Sequence, residues 1–196
     1  MTTRQARARA AVLGGGLALA LALTGCTADT DAKARTLPTP APAVTVTPAP
    51  ATTSVDLQAK EKAAVLAAYS SMWTEQMKAY AKADAKGTDL AKYTSLDALV
   101  RFRLDLAQMK KAGTVATGTL GHEPEVTALD TTSTPLKATV QDCLDLSGWT
   151  TTRVQTGETI PLPSAQPRRY RATATAEKWP SGWMILTYTP QGQQSC

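Results

Sequence analysis

The sequence predicts an α+β domain in which two helices pack on a curved antiparallel sheet of four to five strands. Three observations predict it. Apolar residues recur every three or four positions between residues 65 and 109; after Gly113 the recurrence changes to every second position; and turn-forming residues punctuate that second half. Helices first and strands afterwards give a segregated α+β arrangement rather than an alternating α/β one.

The domain is expected over residues 56–196, behind two shorter segments. Residues 1–25 read as a signal peptide. Arg4, Arg7 and Arg9, with no acidic residue among them, precede an apolar run from Ala11 to Leu23. That run is shorter than the roughly 20 residues a spanning helix needs. Leu23-Thr24-Gly25-Cys26 follows at once. This resembles the bacterial lipobox, in which small residues leave room for the peptidase and a cysteine thiol is the acylated nucleophile. The resemblance implies a lipid-anchored protein on the extracytoplasmic face of the cell membrane, cut before a diacylated Cys26. Two acyl chains give stable anchoring where one would be marginal.

Residues 26–55 read as a tether. From Thr27 to Ser54 the chain is rich in Thr, Ala and Pro, with Pro38, Pro40, Pro42, Pro48 and Pro50. Proline removes backbone donors and holds its predecessor extended, so a semi-rigid spacer is expected. At about 3.1 Å per residue it would reach roughly 80–90 Å. Its threonines resemble sites of surface O-glycosylation.

Asp56 is placed to cap a helix starting at Leu57. Val65, Ala68, Tyr69, Met72, Trp73 and Tyr80 form its apolar stripe, with Lys60, Lys62, Glu75, Lys78 and Lys82 on the other face. Gly87 breaks the pattern, and a short turn is expected near Asp89–Lys92. Ser95 is placed to cap a second helix with the stripe Leu99, Phe102, Leu106 and Met109, ended by Gly113 in the left-handed conformation. Expected strands are Val115–Gly121, Glu125–Asp130, Leu136–Leu146, Arg169–Lys178 and Trp183–Tyr188, the last two joined at Trp179-Pro180-Ser181-Gly182. The polar, proline-rich segment 147–167 reads as a long loop.

Charge and motifs exclude more than they assign. The formal net charge of +5 falls to about +2 without the three arginines of the signal, which removes the case for a nucleic-acid partner. Arg168, Arg169 and Arg171 form a basic cluster. It fits a solvated strand edge that discourages edge pairing, or a weak contact with anionic lipid or cell-wall polymer. No GxSxG, Walker-type loop, HExxH or dinucleotide fingerprint occurs. His122 is the single histidine, in what reads as an exposed turn, Gly121-His122-Glu123-Pro124. No catalytic set, metal site or cofactor is assigned. With Cys26 lipidated, Cys143 and Cys196 remain for a disulfide in an oxidising compartment. The rival, a metal or redox pair of free thiols, lacks a CxxC motif and a neighbouring histidine.

One residue breaks the alternation of its strand. Leu136, Ala138, Val140, Leu144 and Leu146 share a face, and Asp142 joins them. A carboxylate there is costly unless hydrogen-bonded or paired, and its pKa rises. It is a structural hydrogen-bond acceptor for a buried Tyr or Trp, or a residue turned outward by a bulge at Cys143.

Leu90 and Tyr93, Gly113-Thr114-Val115, Asp142-Cys143-Leu144-Asp145, Gly157, Arg169-Tyr170-Arg171 and Gly182-Trp183 occur in an order that resembles the NTF2-like (cystatin-like α+β) superfamily. The likeness is to small secreted and lipid-anchored actinobacterial members. The resemblance implies a cone whose concave sheet face forms a pocket under the long helix, with Asp142, Tyr69, Trp73 and Tyr170 as candidate lining. It also implies sheet faces that pair into homodimers. Members include isomerases, dehydratases, ligand binders and structural modules, so fold does not give function. Three readings follow: a non-catalytic binding or interaction module for an envelope protein, lipid or cell-wall polymer; a carrier of a small apolar ligand; and an isomerase- or dehydratase-like enzyme using Asp142.

Overall fold

A computed structural model describes residues 52–196. The signal segment, Cys26 and the proline-rich stretch through Pro50 lie outside the described residues. The first helix, α1 (Thr52–Tyr80), starts ahead of the expected cap, so Asp56 sits inside it. The prolines stop at Pro50, and from there every residue again supplies a backbone donor for a helix to use. Val65, Tyr69, Met72, Trp73, Gln76 and Tyr80 form its buried face. Glu75, expected on the solvated face, is also buried. Its carboxylate accepts the Asp89 N–H at 2.8 Å and the Lys78 ammonium at 2.6 Å, latching the chain beyond α1 back onto it.

A four-residue helix, α2 (Leu90–Tyr93), occupies the expected turn and buries Leu90. The second long helix, α3 (Leu96–Ala112), buries Ala98, Phe102 and Leu106 and ends at Gly113, whose φ of 63° is the left-handed value expected there. Ser95 stands at the N-cap position, but its side chain makes no capping bond. Its backbone N–H instead donates to the Ile185 carbonyl at 3.0 Å, fixing the start of α3 to the sheet.

The strands are β1 (Thr114–Gly118), β2 (Gly121–His122), β3 (Glu125–Asp130), β4 (Lys137–Asp145), β5 (Trp149–Arg153), β6 (Thr159–Ile160), β7 (Arg169–Trp179) and β8 (Gly182–Gln191). The main sheet is antiparallel with five strands. It runs β4-β7-β8, with β2 and β3 paired in succession along the other edge of β4. The two-residue turn Pro180-Ser181 closes the hairpin predicted at that place.

Two expectations are corrected. The strand expected over Val115–Gly121 is split. The segment expected to be a loop, 147–167, contributes β5 and β6, which join β1 in a small second sheet ordered β1-β5-β6. The split has a steric cause. A Cβ at Gly118 would stand 2.1 Å from the Gly148 carbonyl oxygen, so the chain can pass there only as glycine. That close approach carries Trp149 to its place beside α1. The helices bury their apolar faces against the sheets in one core holding Tyr69, Trp73, Phe102, Val140, Leu144, Ile185 and Tyr188. The fold is thus α+β, helices on a curled antiparallel sheet, as the sequence predicts.

Candidate functional site

Two carboxylates point inward beneath α1, and each is met by one of its tyrosines. Asp142 is the first. The β4–β7 register is unbroken from Lys137 to Asp145, so there is no bulge to turn it outward. It lies on the apolar face, 2% exposed. Its Oδ2 accepts the Tyr69 hydroxyl at 3.0 Å and its Oδ1 accepts the Glu123 N–H at 2.7 Å. Burial pushes its carboxyl above the usual range, against the pull of those two donors. Burial likewise raises the Tyr69 phenol, with the Asp142 charge adding to it.

His122 is not the exposed turn residue the sequence implies. It sits in β2, opposite Leu144, with its side chain only 25% exposed. Its Nδ1 is 3.9 Å from Asp142 Oδ2, too long for a hydrogen bond, and has no partner. The ring centroids of His122 and Tyr69 lie 6.3 Å apart. Tyr69, Asp142 and His122 therefore converge, yet Asp142's side chain has no solvent exposure. Its carboxylate presents no accessible surface to a substrate in this arrangement.

The second carboxylate, Asp105, lines a cavity of about 470 Å³ between the helices, the small sheet and β7. Trp73 and Tyr80 of α1, Asp105 and Met109 of α3, Trp149 of β5 and Tyr170 of β7 form its walls, and Leu162 and Pro163 close one side. Tyr80 and Trp149 meet edge to face, centroids 5.3 Å apart at 77°. The Trp149 indole N–H donates to Thr151 Oγ1 at 2.9 Å, which fixes the ring. Tyr80 donates to Asp105 Oδ2 at 3.3 Å, the one hydrogen bond this carboxylate receives among the described residues. Burial raises the Asp105 carboxyl above its usual range, with the Arg101 charge opposing.

Of the four residues assigned to a pocket from sequence, Trp73 and Tyr170 line this cavity. Asp142 and Tyr69 do not; they belong to the closed cluster, because the two hydrogen bonds that satisfy Asp142 hold it under α1. Asp105 and Trp149 were not foreseen. Asp105 lies three residues after Phe102 and four before Met109, at helical spacing from both. That places it at the edge of the apolar stripe, and this signal could have found it. Among the described residues, the Trp73 indole N–H, which lines this cavity, the Gln76 amide, the Tyr188 hydroxyl and His122 Nδ1 are buried without a hydrogen-bond partner.

Cys143 and Cys196 are joined as a disulfide, with Cα atoms 6.0 Å apart, which ties the last residue to β4. Closing a loop of that sequence separation, 53 residues, is worth on the order of 4 kcal/mol in the chain-entropy account, with 2–4 typical in practice. Among the described residues no helix is long and apolar enough to cross a membrane, and no group of three or more His, Cys, Asp and Glu side chains gathers as a metal site.

No protein-family model matches the chain, and no curated protein matches it. Among solved structures, the chain is similar to the intermembrane space region of the chloroplast protein ARC6 at 16% identity and a TM-score of 0.38, covering 72% of this chain and 96% of that one.

Proposed function

We propose that this chain is a non-catalytic binding module held at the extracytoplasmic face of a bacterial membrane through lipid on Cys26, and that its cavity takes a small, largely apolar ligand. The observation that carries the reading is the cavity itself. Its volume of about 470 Å³ lies within the range of roughly 300–1,000 Å³ usual for small-molecule sites. Its walls are mostly aromatic and aliphatic, with few polar groups, the usual make-up of a ligand pocket. The resemblance to NTF2-like lipoproteins supports the same reading. The sealed state of Asp142 weighs against the isomerase-like alternative, because a general base must come within hydrogen-bond reach of the proton it abstracts.

The test is a Leu120→Trp variant, which extends an indole from the cavity wall. Native mass spectrometry and thermal unfolding of the full chain should show saturable binding of small apolar molecules by the wild type. The filled variant should fold and bind none. Equal binding by both proteins would remove the cavity from the account.

A second reading, docking of an envelope protein, is favoured by one observation. Leu96, Val100 and Leu104 stand 60%, 54% and 57% exposed at four-residue spacing along α3, an apolar stripe with no partner among the described residues. Replacing all three with Gln should abolish co-purification of such a partner and leave ligand binding intact.

A further inference from the structure

Resting on the reading of the cavity as a ligand site, we infer that the ligand is an organic cation, an alkylammonium group on an apolar body, held between aromatic faces and the Asp105 carboxylate. Four of the lining residues are aromatic: Trp73, Tyr80, Trp149 and Tyr170. Tyr80 and Trp149 meet nearly perpendicular, with ring centroids 5.3 Å apart, at the cavity wall. Aromatic faces carry negative quadrupole charge, and boxes of such faces recognise ammonium groups that hydrogen bonds cannot.

The formal charges at the cavity have one sign. Among the described residues, Asp105 is the only ionisable acid or base lining it apart from the two tyrosines, and no lysine, arginine or histidine does so. Its carboxylate has room for about four hydrogen bonds and accepts one, from Tyr80. It makes no ion pair within 4.0 Å among the described residues. Arg101, one helical turn earlier on α3, is exposed and acts on Asp105 only through its field. An anionic ligand would meet repulsion from Asp105 and from the ring faces, with only the field of the exposed Arg101 to offset it. A neutral ligand would leave the partly desolvated carboxylate without a counter-charge. A cation of modest size answers both features at once.

The experiment compares three probes of similar shape with the full chain by isothermal titration: benzyltrimethylammonium, its uncharged carbon isostere neopentylbenzene, and phenylacetate. The cation should bind about tenfold more tightly than the isostere, and phenylacetate most weakly. Asp105→Asn, which keeps the side chain's shape, should lower affinity for the cation about tenfold and leave the isostere's unchanged. Trp149→Leu provides a second variant and should weaken the cation more than the isostere. Equal affinity for cation and isostere, or an Asp105→Asn variant that binds the cation undiminished, would overturn the inference and leave the apolar-cavity reading standing. Binding of none of the three probes would overturn both.

Discussion

Asp142 and Asp105 occupy matching positions at two levels of the same helix. Each accepts a hydroxyl from a tyrosine of α1, and the two tyrosines, Tyr69 and Tyr80, are eleven residues apart, about three turns along one face. The surroundings differ. Asp142 has a bond of 3.0 Å from Tyr69, a second bond from the Glu123 backbone, and no exposed side-chain area. Asp105 has one bond of 3.3 Å and a cavity in front of it. Both carboxyls are pushed upward by burial. The comparison teaches that a raised carboxyl pKa does not separate structure from function; the acceptor capacity left over does. At Asp142 both oxygens are engaged and the chain is closed around them. At Asp105 capacity remains and faces open space.

The largest effect should come from deleting the closed carboxylate. Asp142→Ala leaves the Tyr69 hydroxyl and the Glu123 N–H without an acceptor in the core and should cost about 3 kcal/mol or more, read by urea unfolding. If the cost were below about 1 kcal/mol, the cluster would not be a structural unit. Tyr69→Phe should come next, at about 1–3 kcal/mol near pH 7. Its pH dependence has a definite sign. The Tyr69 hydroxyl favours the ionised carboxylate, so the deficit should be full above Asp142's elevated pKa and shrink as pH falls through it. A deficit that grows on acidification would contradict the hydrogen bond's direction.

At the open site the same logic reverses. With its folded pKa raised, ionised Asp105 costs stability above that pKa, and the cost disappears below the ordinary Asp range, where both states are protonated. Asp105→Asn should therefore be slightly more stable than wild type at pH 7, by less than about 1 kcal/mol, with no gain near pH 3. Denaturation midpoints at the two pH values test this; a less stable variant at pH 7 would show that Asp105 is a structural residue like Asp142.

The closed site was more legible in the sequence than the open one. Period-two alternation in β4 singles out Asp142 because every second neighbour is apolar, and the unbroken register keeps that alternation true in space. Trp73 stands in the helical stripe of α1, and its place in a cavity, like that of Tyr170, came from the family resemblance. Asp105 escaped because a charged residue at the edge of a helical stripe reads as solvated face; whether it meets water depends on what stands opposite. What stands opposite, across the cavity, is Trp149, on a strand that carries no apolar periodicity. Thr150, Thr151 and Thr152 give three consecutive β-branched residues without apolar alternation, in a segment whose prolines mark a loop. The same holds for His122: the Gly121 and Pro124 around it read as a turn, whereas pairing with β4 draws it inward. Sequence located the core-facing groups that local pattern decides and missed those that a distant segment covers.

The most direct test sets the two tyrosines side by side. Tyr69→Phe and Tyr80→Phe delete the same hydroxyl at the two levels of α1, and each variant is measured for unfolding free energy and for benzyltrimethylammonium affinity. Tyr69→Phe should lose about 1–3 kcal/mol of stability and keep its affinity. Tyr80→Phe should stay within about 1 kcal/mol of wild type and lose affinity several-fold, because it frees Asp105 from the bond that orients it. The opposite pattern, or equal losses in both quantities for both variants, would contradict the division into a closed structural site and an open binding site.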